Sequence, residues 1–236
     1  VWRKDVVLEL PAEVVKTIKD GKVTIAAHCN NRTGGALVDF GLYIPTDDKE
    51  QLINTAQQLS ADVQATQTHY VFKCGPVNLE LTFMAPLFME DLDLVSRPVN
   101  YISYKVVSTD GASHDTQIYF EDAPNWAINI PTQKSTADGF EKDGLLYTRI
   151  GSIEQNVLKK KGDDLRIDWG YFYLVTEKQK GSYATGHPFK LREVFVNDGV
   201  LGNDVSAKGG ANVAVAQNLG KGSSLSGKIM IGYDDI

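Results

Sequence analysis

Strict alternation of apolar and polar residues is what most limits the fold of this chain. Val77, Leu79, Leu81 and Phe83 point one way along an extended backbone, and Asn78, Glu80 and Thr82 point the other. Tyr101 to Ser108 reads as a second strand and Thr116 to Phe120 as a third, with the turn signal Asp110-Gly111 between them. A side-chain period of two, broken by Gly-containing turns, is the signature of half-buried antiparallel strands. Asp-Gly pairs also stand at residues 20–21, 138–139, 143–144 and 198–199, and such pairs favour turns with positive φ. Many short strands with regular turns imply a sandwich or a barrel. The expected class is therefore all-β, mainly an antiparallel β-sandwich, with one or two short helices.

The rest of the chain is read the same way. Residues 1–44 give strands at Val6–Leu10, Lys22–His28 and Ala36–Ile44, with a short helical turn after Pro11. Residues 45–66 read as a connector with a helix, because Leu52, Ile53, Ala56, Leu59 and Val63 fall at helical spacing. Residues 67–236 form the main antiparallel sandwich. In it, Leu165, Ile167, Trp169, Tyr171, Tyr173 and Val175 make the longest alternating set, expected to face the core. Leu191, Glu193 and Phe195 suggest another strand, and Asn212 to Ala216 a thin edge strand in a small-residue stretch.

Charge excludes some partners. With 24 basic and 30 acidic residues the net charge is −6. Nucleic acid and anionic membrane surfaces both call for clustered positive charge. The single basic run, Lys159-Lys160-Lys161, lies beside Asp163 and Asp164 and reads as a solvated turn. No apolar run reaches the length of a spanning helix. Cys29 and Cys74 are too few for a disulfide framework or a structural zinc site. No metal-binding spacing, P-loop, dinucleotide fingerprint or nucleophile elbow is present, and no cofactor is implied.

Candidate site residues follow from chemistry. Sugars stack on exposed aromatic faces, and Trp126, after Pro124-Asn125, is the best placed for exposure. Asp168 sits next to Trp169, where an ionised group needs either water or a partner; Arg192 is one conceivable partner. His187 lies in a Gly-containing loop, the kind of segment that carries function more often than strands do. His114 is positioned to hydrogen-bond within its own turn.

The stretch from Leu79 to Trp126 also resembles a known family. It carries Leu81-Thr82-Phe83 with Pro86, then Asp91-Leu92, Ser96, Pro98 and Tyr101, then Asp110-Gly111, His114-Asp115, Gln117 and Tyr119, and finally Trp126. This pattern resembles the β-sandwich region of glutaminase-A-type proteins of fungi and Bacteroides-like bacteria. Asn30 to Gly35, followed by the run VDFGLY at residues 38–43, is similar to the end of a galactose-binding-like jelly roll.

The resemblance implies a supersandwich-like fold and a larger parent hydrolase, glutaminase-like or glycosidase-like. It implies a helical-toroid catalytic domain following Ile236, and a periplasmic or secreted location. On this reading the chain is a non-catalytic accessory module, and its first partner is that catalytic domain. The alternative is a carbohydrate-binding module of a glycoside-hydrolase-like protein, and a hydrolase acting through acidic groups around Asp168 ranks last. Half a jelly roll leaves sheet edges open, so residues 1–44 are expected to pack on the main sandwich or to mediate self-association.

Overall fold

The computed structural model describes residues 11–16, 54–130, 132–159, 161–162, 167–202, 207–208 and 211–235. The chain divides into two compact units, residues 1–50 and 51–236. In the first unit the described residues form one helical turn, α1 (Ala12–Val15), where Pro11 predicts it. The strands expected elsewhere in residues 1–44, their jelly-roll likeness and Cys29 lie outside the described residues.

In the second unit, backbone hydrogen bonds sort the strands into two antiparallel sheets of unequal size. The large sheet contains β1 (Gln57–Val63), β2 (Gln67–Cys74), β3 (Val77–Met84), β4 (Val99–Ser108), β6 (Ser135–Lys142), β7 (Leu145–Ser152), β8 (Tyr171–Glu177), β10 (Ala207–Lys208) and β12 (Ser224–Asp234). Their order is β1-β2-β3-β4-β12-β8-β7-β6-β10. The small sheet contains β5 (His114–Asp122), β9 (Gly181–Gly186) and β11 (Asn212–Gly222), in the order β5-β11-β9. A short helix α2 (Leu92–Val95) joins β3 to β4, and a longer one, α3 (Pro188–Asp198), follows β9. The all-β sandwich expected from alternation is the fold observed. Among the described residues no helix is long and apolar enough to cross a membrane.

The core lies between the sheets. Ile102 and Tyr104 of β4, Leu146 and Ile150 of β7, Phe172 and Leu174 of β8 and Ile229 of β12 meet Tyr183 of β9 and Val213, Val215 and Leu219 of β11. Leu79 and Leu81 extend this face onto β3. A second apolar cluster lies on the other side of the small sheet. There Leu191 and Phe195 of α3 pack on Ala184, Ala214, Ala216 and Tyr119. Strand β11 is thus covered on both faces, with valines toward the large sheet and alanines toward the helix.

A buried polar tie crosses the core. The Tyr104 hydroxyl donates to Gln217 Oε1. The Gln217 amide nitrogen donates to Thr176 Oγ1 at 2.5 Å and to the Lys228 carbonyl at 2.9 Å. Gln217 therefore links β11 to β4, β8 and β12 at once. Room for it comes from Gly227, where a Cβ would stand 2.8 Å from Gln217 Oε1 and press on the Tyr104 hydroxyl.

Several local expectations are corrected. No hairpin joins β4 and β5 across Asp110-Gly111. Both edges of β4 are taken, by β3 and β12, so the chain crosses to the small sheet, where β5 pairs with β11. Asp110 fixes that crossing. Its carboxylate accepts from His114, the Ala112 N–H and the Ser108 hydroxyl, which hold its pKa down at about 2. Residues 57–63 are strand β1 and not helix: the spacing of Leu59 and Val63 fits a helix, but Ser60, Ala61, Asp62 and Val63 take their hydrogen bonds from β2.

Three further readings change. The segment 188–198 is helix and not strand. Pro188 starts it and Gly199, at φ 69°, ends it by donating its N–H to the Phe195 carbonyl. The alternating set from Leu165 breaks before β8, because Gly170 adopts φ 82°. In β8 it is Phe172 and Leu174 that face the core, so Tyr171 and Tyr173 lie on the outer face. Residues 212–222 form the central, buried strand of the small sheet, not a thin edge.

If Gln217 ties the sheets, Gln217→Ala orphans Tyr104 and Thr176 in the core. Each orphaned group costs about 1–3 kcal/mol. We expect a loss of about 2–4 kcal/mol, seen as a lower urea midpoint at unchanged m-value. A loss below about 0.5 kcal/mol, the level of a neutral surface change, would remove the tie from its central place.

Candidate functional site at the open end of the sandwich

The two ends of the sandwich are built differently. At one end three short connections pass from sheet to sheet: residues 109–113, 178–180 and Ser223. At the other end the strand termini are joined by longer segments, residues 85–98, 123–134, 153–170 and 187–211. Trp126, Asp168, His187 and Arg192, singled out from sequence, are all carried by these segments.

Trp126 ends a 3-10 turn (Pro124–Trp126) that follows β5. The residue is 63% exposed. The inner face of its ring stacks on Phe172, with centroids 5.7 Å apart and planes at 22°. Its indole hydrogen-bonds to the Asp122 carboxyl. Burial pushes the Asp122 carboxyl up to about 6; the Trp126 hydrogen bond opposes this and the nearby Glu121 charge adds to it.

Arg192 does not reach Asp168. It closes a two-point pair on Glu121, with Nε to Oε2 at 2.9 Å and Nη2 to Oε1 at 3.2 Å. The Tyr119 hydroxyl donates to the same carboxylate at 2.7 Å and the Asn212 amide at 2.5 Å. Only 7% of the Glu121 side chain is exposed. A carboxylate this buried requires such matching. The cluster fastens α3 to the small sheet next to its apolar contact, where Tyr119 and Phe195 lie 4.9 Å apart.

His187 occupies the N-cap position of α3 without a side-chain capping bond, and its exposed ring lies 5.3 Å from that of Phe189. Asp168 is only 1% exposed. Its Oδ2 accepts from Gln133 Nε2 at 2.9 Å, and Gln133 Oε1 accepts the Asn129 N–H at 2.8 Å. Nearby, the Gln155 amide spans the Ser152 and Gly170 backbone at 2.6–3.1 Å. Asp168 therefore anchors the joint between two rim loops.

Sequence reasoning missed Glu121, Asp122, Tyr119, Asn212 and Gln133. The Glu121-Asp122 pair carried a signal. At the end of an alternating strand, adjacent residues face opposite sides, so these two carboxylates must meet different environments. The large apolar side chains Trp126, Ile130, Ile153, Val157, Leu158, Ile167 and Phe189 are each at least half exposed, as are Leu87, Phe88, Met89 and Leu92 of residues 85–98. They stand among exposed polar residues such as Lys134, Glu154 and Lys159. Such a concentration suits recognition better than bond-making chemistry.

Asp122 makes the end pH-sensitive. Its folded pKa lies above the unfolded value, so the native state holds the proton more tightly between about pH 4 and 6. Stability is full below that window and is lost as pH rises through it. We expect Asp122→Asn, which still accepts the indole N–H, to raise Tm at pH 7.5 by about 2–4 °C, after allowance for screening. The gain should shrink to nothing at pH 4. Equal gains at both pH values would show that Asp122 is not strained by burial.

Comparison with known proteins agrees with the resemblance read from Leu79 to Trp126. Glutaminase A of Aspergillus oryzae (strain ATCC 42149 / RIB 40) is 28% identical over 152 residues, covering 63% of this chain and 22% of that protein. The chain thus spans about a fifth of the length of this curated relative. Among solved structures, heparan sulfate lyase HepC from Pedobacter heparinus aligns over 78% of this chain and 22% of its own, at 8% identity. Its TM-score of 0.26 is too low to bear on fold or function. The family described as Domain of unknown function (DUF5127) matches residues 66–236, which hold every strand from β2 to β12, and the chain belongs to that family.

Proposed function

We propose that this chain is a non-catalytic β-sandwich module of a larger glutaminase-A-like hydrolase. It packs against a catalytic domain elsewhere in the same polypeptide. The observation that supports this is at the open end, where residues 123–134, 153–170 and 187–211 together expose seven large apolar side chains. Isolated apolar residues on a surface need no explanation, but a cluster of this kind marks a contact surface. The carboxylates at the same end fit a supporting role, since Glu121 and Asp168 are engaged by Arg192 and Gln133. Export of the parent to the periplasm or medium belongs to the same reading.

A second reading, carbohydrate binding, is favoured by Trp126. Phe172 braces its inner face and Asp122 fixes its indole, so its outer face is a preset platform for the apolar side of a sugar ring. This reading predicts glycan affinity in the isolated chain and its loss in Trp126→Ala.

The two readings separate in one experiment. Glutamine hydrolysis is assayed for this chain and for the full-length parent, and the chain is mixed with the remainder of the parent expressed separately. We expect hydrolysis by the parent alone, and association in the mixture that weakens at least tenfold in Leu158→Asp/Phe189→Asp. Turnover by this chain alone, or association indifferent to both substitutions, would end the accessory reading.

A further inference from the structure

The small sheet stops at β5, so on that side the inner face of the large sheet continues beyond β4 without a covering strand among the described residues. On this extension Tyr70 and Phe72 of β2 stack at 5.9 Å, and Tyr70 meets Phe83 of β3 edge-on at 6.1 Å. Beside them a cleft of about 310 Å³ opens where the β1–β2 turn meets the start of β4. That volume is at the lower end of the range for small-ligand sites.

The lining is chemically specific. It includes Thr66, Gln67, Thr68, Phe83, Asn100 and Tyr101. Thr68, Phe83 and Asn100 share the inner face of the sheet, and Gln67 and Tyr101 reach the cleft from the strand ends on the outer face. None of the lining residues carries a charge, in a chain that is 23% charged. Nor do the side chains of Thr66, Gln67, Thr68 and Asn100 spend their hydrogen-bonding groups on other described residues. The backbone beneath them is fixed: the Ala85 N–H donates to the Thr66 carbonyl at 2.9 Å, and the Gln64 N–H to the Gln67 carbonyl at 2.8 Å.

We propose that this cleft binds a neutral oligosaccharide, one or two sugar rings deep. Amides and hydroxyls both donate and accept, which matches sugar hydroxyl groups. Aromatic rings take the apolar side of a pyranose. A free amino acid such as glutamine fits badly, because its carboxylate and ammonium would enter a lining with no counter-charge. An anionic glycan fails for the same reason. The ligand class is that of the second reading above, but the residues are different.

The test is calorimetric titration of the full chain with cellotetraose, maltotetraose and mannotetraose, and with glutamine and a heparin tetrasaccharide as charged probes. At least one neutral tetrasaccharide is expected to bind at millimolar concentration or below, and neither charged probe. Affinity should fall at least tenfold in Gln67→Ala/Asn100→Ala and stay within twofold in Trp126→Ala. Both substituted side chains are free of internal bonds, so an unchanged Tm in the variant is the check on folding. Binding abolished by Trp126→Ala and untouched by the double variant would overturn the cleft in favour of the Trp126 platform. No binding of any neutral tetrasaccharide, or preference for a charged probe, would overturn it outright. Neither result touches the accessory reading, which is judged by association with the remainder of the parent.

Discussion

Burial of β11 on both faces is the constraint on which the rest depends. A strand covered on one side can leave its polar alternates in water. Strand β11 has no such side, so Val213 and Val215 serve one layer and Ala214 and Ala216 the other. The small alanines set how closely α3 can approach. Gln217 then continues the strand inside the core, where an amide is tolerated only if its partners come with it. Tyr104, Thr176 and the Lys228 carbonyl are those partners, each from a different strand of the large sheet. The tie therefore specifies register as well as contributing stability. Sliding β11 by one residue would turn Gln217 toward α3 and leave the tyrosine and threonine unmatched.

Legibility in the sequence followed the range of the interaction. Alternation in β3 and β4 was readable because each has one face in the core, and Asp143-Gly144 was readable as a turn, the one between β6 and β7, because turn chemistry is local. Other Asp-Gly pairs misled. Asp138-Gly139 lies inside β6, where Gly139 is demanded by Tyr183 from the opposite sheet: a Cβ there would stand 2.5 Å from its ring. Asp198-Gly199 caps a helix. Spacing could not separate helix from strand at Leu191–Phe195, because the positions that pack, 191 and 195, fit a period of two as well as a turn of helix. For the site, the sequence indicated Trp126, Asp168, His187 and Arg192 by residue type, and topology carries all of them to one end. Their partners were hidden because Glu121 and Gln133 meet them only through tertiary packing.

The contrast between Glu121 and Asp122 shows how the open end is held. They are neighbours on one strand and face opposite layers. Glu121 meets the helix side, where Arg192 supplies the counter-charge and Tyr119 and Asn212 complete its hydrogen bonds. Asp122 meets the large-sheet side, where a neutral indole is its partner and burial raises its pKa. A charge matched by a cation strengthens a joint across the pH range of a cell, whereas a half-buried carboxyl without one weakens it once ionised. The helix side is therefore the firm joint, and Trp126 sits over the softer one.

The outer face of the large sheet bears on where recognition occurs. Phe140, Tyr147, Tyr171 and Tyr173 lie there, and such a row of half-exposed aromatics invites comparison with a sugar platform. Their geometry argues otherwise. Phe140 and Tyr147 stack within 5° of parallel at 4.9 Å, and Arg149 lies 4.5 Å over Tyr171 while pairing two-point with Asp138. The ring faces are turned on each other and on the guanidinium, so edges are left for solvent. Cross-strand pairs of this kind stabilise a sheet surface. At the open end and on the uncovered inner face the aromatics are placed differently: Trp126 is largely exposed, and Phe83 borders a cleft in which the Gln67 and Asn100 amides have no side-chain hydrogen bond to other described residues. The proposed recognition draws on exposed rings and on amides left unsatisfied among the described residues, and these lie where the three-stranded sheet fails to cover the large one and where its strands end.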